Sequence, residues 1–424
     1  MSLVKTLAAW MALSIAPAPA PVEPTCQGRI ARDRVVACAL AASPDIEALE
    51  QGAEAVAARR LSARTILPTN PRVELSAAAR RSVRTTDRDT NFYGTLSQEV
   101  EIAGQRGKRL AVVDAAVAAE RSRIDAGRRE VAAEALRSYF EALAARDERV
   151  MIERIDRGMD RLAELAEASE SAGLGSGLGT EVASTTVVKV RQRAIQAGRR
   201  QAAAEALLGG LLGLDPAAPN LDLVGELKPL VITAEIEALV AKGLEMRAEI
   251  EVAQAEREAQ RRQGELYRRL RVPNPSVVLY GQRDGFFEQV LGGGVGLAIP
   301  LPSPLGHTYK GEIAESRARV RQADAELEGL RRRIRAEVVT AHTALKAAEA
   351  ELALFDVDRL TRVEGYLREL TAEMAAGRVT IREGALLQLA LLDLLANYIE
   401  VRREHCLASV ELARAAGLLP EEIR

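Results

Sequence analysis

Apolar residues recur at every seventh position along two long stretches of this chain. The two series are Leu110, Val117, Ile124 and Val131, and, 203 positions later, Ile313, Val320, Leu327 and Ile334. A seven-residue apolar repeat brings one face of a helix against a neighbouring helix, as in coiled coils. The positions between them are rich in arginine and glutamate, which suit a solvated helix face. Two long helices, each packed along one apolar seam, are therefore predicted.

The chain is one structural unit written twice. Adding 204 to Asn70-Pro71 leads to Asn274-Pro275, and the same step relates Gly173 to Gly377. Solenoid repeats have units of about 20–50 residues, so this period instead indicates a duplicated domain packed against its copy. We expect a first structural repeat over 21–213, a linker over 214–233 and a second repeat over 234–424.

Each repeat is predicted to run as a helix, two strands, a long helix, a glycine turn and a shorter helix. In the first repeat these are a helix at 33–66, strands at 72–80 and 92–102, a long helix up to 172 and a helix at 181–212. In the second they are a helix at 234–269, strands at 276–282 and 290–301, a long helix at 311–376 and a helix at 381–416. The fold class is mainly α with a small β part. Both long helices fall in proline-free stretches, as expected, since a proline inside a helix costs about 3 kcal/mol.

The strands form two short hairpins, which cannot close into a barrel within one chain. Open strand edges are a liability in water, because they pair with other chains. Three chains with four strands each would supply a closed barrel of twelve strands. The alternative is a small soluble β cap on a helical rod. Strand composition alone does not separate the two, because the strand signals of outer-membrane barrels are weak.

The N-terminus is typical of an export signal. Lys5 precedes an apolar stretch at 7–16, and alanines and prolines follow. A segment of this length suits a secretory signal peptide, here placed at 1–20, and is too short to cross a bilayer. A disordered Ala-Pro leader is the alternative. No transmembrane helix is expected after it.

Composition and charge argue against nucleic-acid binding and catalysis. The net charge is −2, and arginines alternate with glutamates instead of forming a basic block. His307, His342 and His405 are scattered, and no nucleophile motif is present. Gly292-Gly293-Gly294 lacks the lysine and the helix start of a phosphate loop. We therefore expect no enzyme activity and no cofactor.

The cysteines and the segment Glu404-His405-Cys406 are the candidates for a disulfide or a metal site. Adjacent residues on a helix point in different directions, so Glu404-His405-Cys406 is expected to be ordinary helix surface and not a metal site. Cys26 and Cys38 lie close in sequence, and an exported protein meets an oxidising compartment. The sequence favours two free thiols, with a disulfide as the alternative, because pairing cannot be deduced from spacing. Cys406 is expected to be a small helix residue.

Several segments resemble motifs of the TolC family of outer-membrane efflux proteins. They are Leu67-Pro68-Thr69-Asn70-Pro71, the segment 96–104 through the second strand, Gly296-Leu297-Ala298-Ile299-Pro300-Leu301-Pro302, and Ala376-Gly377-Arg378-Val379-Thr380. Their order and double occurrence carry the resemblance, which covers the chain after residue 30. The segment 172–176 and the second tip are most similar to the heavy-metal efflux (CzcC-like) branch.

The resemblance implies a trimer in the outer membrane of a Gram-negative bacterium. Three chains would form a 12-stranded barrel and a 12-helix tunnel that extends into the periplasm. The helix tips, with Gly173, Ser176, Gly377 and Thr380, would meet a periplasmic adaptor (membrane fusion) protein. An inner-membrane pump of the RND type would supply the energy. The chain itself would be a passive conduit, with heavy-metal cations as the exported substrate of the similar branch.

The chain departs from the family pattern at two places. Some members carry two acidic residues one turn apart that line the closed aperture; Glu383 matches the first, but Leu386 stands at the second. Many relatives are lipoproteins, yet the residues before Cys26 form no lipid-attachment motif. Glu383 is expected either to line the aperture or to act as a favourable carboxylate at a helix N-terminus. A periplasmic adaptor and a structural coiled-coil protein remain as alternatives for the whole chain.

Overall fold

The fold alternates long helices with a small antiparallel sheet, and it repeats this order once. The computed structural model describes residues 26, 28–81, 88–173, 176–219, 221–283, 288–301, 305–355, 365–366, 369–370 and 372–418. The predicted signal peptide at 1–20 lies outside the described residues, as do 356–364 of the predicted second long helix. The chain is mainly helical with some strands, as the sequence predicts.

Among the described residues the first repeat contains eight elements, of which β1 was not expected. They are β1 (Gly28–Ile30), α1 (Arg32–Ala42), α2 (Pro44–Ala63), β2 (Arg72–Arg81), β3 (Arg88–Glu99), α3 (Gln105–Asp156), α4 (Met159–Ser171) and α5 (Gly177–Leu211). The second repeat follows in the same order. β4 (Leu221–Leu223) lies in the linker predicted at 214–233. The second repeat then comprises α6 (Ile236–Met246), α7 (Ala248–Leu270), β5 (Pro275–Arg283), β6 (Gln289–Leu297), α8 (Lys310–Leu352) and α9 (Ile381–Ala415).

The first helix of each repeat is broken, which corrects the prediction of single helices at 33–66 and 234–269. Ser43 ends α1 with an extended backbone and caps α2, accepting a hydrogen bond from the Ile46 N–H at 3.4 Å. Pro44 occupies the first turn of α2, where its missing N–H costs nothing. Arg247, 204 positions later, breaks the second helix with the same extended backbone. Its buried guanidinium pairs with Glu249 and Glu337.

The predicted long helices are also interrupted. Between α3 and α4 the Gly158 N–H bonds to the carbonyl of Ile155 at 2.9 Å, a tighter turn than the α-helix makes. A glycine weakens a helix interior, which accounts for the break at this position. In the second repeat α8 ends at Leu352, and residues 372–375 are again helical.

Four strands form one antiparallel sheet in the order β2-β3-β5-β6. The predicted strands are confirmed, with ends that shift by a few residues. The expectation of four strands per chain is wrong: among the described residues, β1 and β4 add a second sheet of two parallel strands. Each of these strands has three residues, too few to show an alternating pattern in the sequence.

The buried core is divided along the helices into three clusters. One cluster surrounds β1, β4 and the middle of α3, with Tyr139 and Phe140 among its largest side chains. A second lies under the tips of the hairpins, between α4, α5 and α9. A third joins α6, α7 and α8 and contains Leu327 and Ile334 of the predicted seam.

Cys26 and Cys38 form a disulfide, which corrects the preference for two free thiols. The disulfide joins the segment before β1 to α1. Ile30 of β1 and Cys38 are fully buried in the same core cluster. This packing brings the two cysteines together, a proximity that spacing along the chain does not reveal. Cys406 is a buried free cysteine, as expected for a small helix residue.

One helix in the described part of the chain is long and apolar enough to cross a membrane by length and composition alone. It is α9, whose most apolar window has a mean hydropathy of 1.4. The sequence-based expectation excluded any such segment. In the structure α9 packs against α8, α3 and α5, and Ala385, Leu392 and Leu395 are buried in the tip cluster. A third of that window is buried in the chain.

Candidate functional site

The two faces of the four-stranded sheet differ in chemistry. Residues paired across neighbouring strands lie on one face, so the register assigns every side chain. One face is mainly apolar, with polar residues confined to the ends of its strands: Arg81, Arg88, Thr90, Arg283 and Gln289 at the hairpin end and Gln98 at the other. Its apolar residues are Val73, Leu75, Ala77, Ala79, Phe92, Leu96, Val277, Leu279, Leu291, Val295 and Leu297. The other is mainly polar: Arg72, Glu74, Ser76, Arg80, Asn91, Tyr93, Thr95, Ser97, Ser276, Tyr280 and Gln282. The two faces of the sheet therefore suit different surroundings, one apolar and one aqueous.

The apolar face is uncovered in the single chain. Leu75 is 80% exposed and Leu291 is 90% exposed, and every residue of β2 is exposed. Exposed apolar area of this extent marks a surface that meets a membrane or another protein.

Both edges of this sheet are open. β2 and β6 are its outer strands, and each pairs on one side only among the described residues. They are 10 and 9 residues long. Edge strands of this length with free N–H and C=O groups are templates for pairing with another chain.

A run of glycines in β6 makes room for side chains from β5. The ring of Tyr280 lies where a Cβ at Gly292 would be, and Ser276 occupies the same place opposite Gly296. Sequence reasoning identified Gly292-Gly293-Gly294 only as a failed phosphate loop. Alternation in β5 with glycines opposite it in β6 is the signal that predicts this packing.

The tips of the two helical hairpins carry the predicted glycine turns. Gly173 and Gly377 have φ angles of 71° and 70°, the left-handed conformation expected of helix-ending glycines. After Gly377 the Arg378 N–H bonds back to the carbonyl of Glu373 at 3.0 Å. The sequence prediction for the backbone at both glycines is confirmed.

Ser176 and Thr380 occupy equivalent positions as the N-caps of α5 and α9. Ser176 accepts a hydrogen bond from the Gly179 N–H, and Thr380 accepts one from the Glu383 N–H, both at 3.3 Å. Each cap satisfies an N–H that a helix start leaves free. The structure thus assigns both residues a local capping role, and their predicted contact with an adaptor stays a prediction.

Glu383 completes a capping box that only the second tip has. Its carboxylate accepts hydrogen bonds from the Thr380 hydroxyl at 2.8 Å and the Thr380 N–H at 3.3 Å. These bonds hold the pKa of the exposed Glu383 carboxyl below its usual value. Gly179 stands at the equivalent position of the first tip. Leu386, about one turn further along α9, is half exposed.

The second tip is fastened to its core by a close approach that the sequence did not predict. A Cβ on the buried Gly384 would overlap the sulfur of Met374, so the thioether lies directly against the glycine. Met374 and the fully buried Ala385 belong to the tip cluster. A glycine next to an alanine near a helix start is the signal that predicts such an approach.

A charged groove of about 1030 Å³ runs between α3, α5 and α9. One ion pair crosses each helix boundary, and together they bridge the three helices. The pairs are Glu148–Arg200 at 2.8 Å, Arg193–Asp393 at 2.5 Å and Glu141–Arg403 at 3.4 Å. Burial raises the pKa of Glu148 despite the nearby Arg200. Alanines, Ile152, Leu207 and Leu392 share the lining with these charged side chains, so the groove is an open surface of mixed charged and apolar character.

His405 and Cys406 are neighbours in α9, whereas His342 lies in α8 and His307 just before it. His307 contacts Glu312 at 3.0 Å before α8, whereas burial lowers the pKa of His405 in α9. Burial also raises the pKa of Cys406 to about 12, which keeps it an unreactive thiol. Over the described ranges, no group of three metal-ligating side chains comes together.

Comparison with known proteins relates the first repeat to a family and the whole chain to a fold. Residues 35–214 match the family described as outer membrane efflux protein. No curated protein sequence matches the chain.

The fold is shared with several solved outer-membrane structures. CusC superposes with a TM-score of 0.73 and 15% identity over 91% of this chain and 92% of its own. The CmeC outer membrane channel of Campylobacter jejuni superposes with a TM-score of 0.73 and 14% identity, over 92% of this chain and 86% of its own. The outer membrane protein VceC of Vibrio cholerae superposes with a TM-score of 0.71 and 18% identity, over 91% of this chain and 96% of its own. The first repeat therefore matches the outer membrane efflux protein family, and the whole chain shares the fold of these outer-membrane structures.

Proposed function

We propose that this chain is the outer-membrane channel of a tripartite efflux system and acts as a passive conduit. The observation that carries the proposal is the two-faced sheet with two open edges. Three copies, pairing β2 of one with β6 of the next, would close it into a 12-stranded barrel.

The strand lengths suit a bilayer. The four strands have 10, 12, 9 and 9 residues. Transmembrane strands need about 9–11 residues when tilted by about 45°. In a closed barrel the apolar face would meet lipid, the polar face would line water, and no backbone group would stay unpaired. A soluble cap gives no reason for a continuous apolar face turned to water.

The helices would continue this conduit as a 12-helix tunnel in the periplasm. α3 has 52 residues, which corresponds to a length of about 78 Å at 1.5 Å per residue. The charged groove between α3, α5 and α9 gives the helical part a wet surface. In this arrangement the protein lies in the outer membrane and reaches into the periplasm.

The tips with Gly173, Ser176, Gly377 and Thr380 would form the docking site for a periplasmic adaptor, behind which an RND-type inner-membrane pump supplies energy. Three copies of Glu383 would surround the aperture near the symmetry axis. The docking role is supported by the equivalence of the two tips, which carry the same glycine turn and helix cap 204 positions apart.

Export of heavy-metal cations is the narrower hypothesis, and it rests on the resemblance of the two tip segments. A strain lacking the gene should become sensitive to divalent transition metals and regain resistance when the gene is restored. Unchanged metal sensitivity, together with sensitivity to organic compounds, would contradict the metal hypothesis and leave the channel proposal in place.

The channel proposal is tested by fractionation, gel mobility and conductance. The mature protein should fractionate with the outer membrane, run as a heat-resistant trimer in detergent and form pores in planar bilayers. A soluble periplasmic monomer would contradict the proposal. That outcome would favour the two alternatives, a periplasmic adaptor or a structural coiled-coil protein.

A further inference from the structure

All four connections between the sheet and the helices meet at one end of the sheet. The register pairs the start of β2 with the end of β3, and the start of β5 with the end of β6. The described parts of these connections are 64–71, 100–104, 271–274, 298–301 and 305–309, which we call the junction.

Hydrogen bonds and a ring contact hold the junction together. The Arg106 guanidinium donates to the carbonyl of Arg64 at 2.8 Å, and the Gln105 amide donates to Asn274 at 2.8 Å. The ring of Tyr309, just before α8, stacks on Tyr267 of α7. The segments of both repeats therefore lie at one level of the molecule.

The junction exposes an apolar band, which we call the junction collar. Its members are Ile66, Leu67, Ile102, Ile299, Leu301 and Leu305. Ile102 is 62% exposed and Ile299 is 74% exposed. The collar continues the apolar face of the sheet past the ends of its strands.

Exposed cations accompany the collar at the helix ends. These junction arginines are Arg64, Arg106, Arg268, Arg269 and Arg271. Within the part of the chain that the structure describes, none of them forms an ion pair with a carboxylate.

The acidic residues of the junction are engaged elsewhere. Glu101 pairs with Arg109, Glu265 with Lys108 at 2.7 Å, and Glu312 with His307 at 3.0 Å. The outward charge of the junction is therefore positive.

We propose that the junction arginines bind the headgroups of anionic phospholipids in the periplasm-facing leaflet, while the collar enters the adjoining acyl region. The inference rests on the proposed function, because only a membrane-inserted sheet places the junction at that leaflet. A guanidinium binds phosphate oxygens through two parallel hydrogen bonds, and it stays charged at the membrane surface. Basic residues beside a membrane-embedded segment attract anionic lipids. The order of the two surfaces, apolar and then cationic, matches the order of acyl chain and headgroup.

The test measures which lipid contacts the junction. A Trp10→Phe, Ile102→Trp variant carries a single tryptophan in the collar. The trimer is reconstituted in phosphatidylcholine vesicles with phosphatidylglycerol, and tryptophan quenching by brominated phosphatidylglycerol is compared with quenching by brominated phosphatidylcholine at equal mole fraction. We expect the anionic lipid to quench at least about threefold more strongly. Replacing Arg268, Arg269 and Arg271 with glutamine should reduce the ratio towards one.

A matched control separates local binding from total charge. Replacing Arg332, Arg333 and Arg335 with glutamine removes the same charge from exposed positions of α8, away from the junction. This variant should leave the ratio of quenching by the two lipids unchanged. Equal quenching by both lipids in a conducting trimer would overturn the lipid inference and leave the channel intact. An equal fall in both triple variants would also overturn it. Absence of quenching by either lipid would overturn the proposed membrane insertion itself.

Discussion

At the residue scale, a substitution at Gly377 tests backbone strain without a change in packing. Its φ is 70°, and nothing lies within 4 Å of the place a Cβ would take. Gly377→Val should therefore act through the backbone alone, at a cost of about 1–2 kcal/mol. We predict loss of cross-linking to the adaptor while heat-resistant trimers persist.

Gly329→Val is the matched control, because Gly329 has equally open space and no left-handed backbone. It should leave cross-linking intact, and Gly173→Val should resemble Gly377→Val. Normal cross-linking by the Gly377 variant would count against the tip as the docking site.

The charge of Glu383 can be removed without removing its cap, since glutamine also completes a capping box. If three copies line the aperture, Glu383→Gln should lower the cation selectivity of the closed channel in planar bilayers and weaken block by divalent ions. Glu373→Gln, which removes the partner of Arg378 beside the same turn, is the control. Identical selectivity and block in the Glu383 variant and the wild type would leave Glu383 with its capping role only.

The same carboxylate has a defined pH dependence. Because its folded pKa is lowered, its contribution to stability is present above the unfolded pKa of 4.5 and is lost as the pH falls through the lower folded pKa. The Gln variant should lack this loss in an acid titration of tip stability.

Gly384 and Met374 provide a packing test of the second tip. Gly384→Ala should push the thioether aside and destabilise the tip by about 1–3 kcal/mol. The double variant with Met374→Ala should lose less than the sum of the single variants, because the clash is gone. Limited proteolysis near the tip is the measurement. Additive losses would mean that the two residues are not in contact.

At the element scale, the disulfide ties the segment that leads into β1 to α1. A disulfide that closes a loop of about 15 residues stabilises a protein by about 3 kcal/mol. The Cys26→Ser, Cys38→Ser variant should therefore show faster hydrogen exchange at Ile30 and a lower thermal midpoint. Reducing agent should reproduce both effects in the wild type and change nothing in the variant. Equal exchange in the oxidised and reduced wild type would refute this role.

Long periodic elements were predictable, and short breaks were not. The seven-residue apolar series predicted α3 and α8, because packing along a seam repeats over many turns. The break at Ser43-Pro44 depends on one cap and one proline inside a strongly helical stretch. The break at Arg247 depends on a buried guanidinium whose partner Glu337 lies 90 positions away. Such partners become visible only in three dimensions.

The same limit applies to the candidate site. The turns at Gly173 and Gly377 follow from local turn chemistry, and the structure confirms their backbone. Ser176 and Thr380 were predicted only as adaptor contacts, and their capping role is seen first in the structure. The ion pairs across the groove join residues that lie far apart in the sequence. The contact of Met374 with Gly384 follows no sequence pattern, so neither was predicted. The sequence shows that arginine and glutamate are abundant, but not which of them pair.

At the scale of the whole molecule, the account depends on what each face of the sheet meets. In a membrane-spanning barrel, neighbouring residues of one strand alternate between lipid and water. In a soluble cap both faces of β2 would be wet. The native cysteines do not interfere with a labelling test, because Cys26 and Cys38 are paired and Cys406 is buried.

Single cysteines along β2 therefore test the central claim most directly. Val73, Leu75 and Ala77 lie on the apolar face, and Glu74, Ser76 and Ala78 lie on the polar face. Each is replaced by cysteine in turn and exposed, in outer-membrane vesicles, to a water-soluble maleimide small enough to enter the pore. We predict strong labelling at 74, 76 and 78 and protection at 73, 75 and 77. Equal labelling on both faces would contradict a membrane-spanning sheet and the channel built on it.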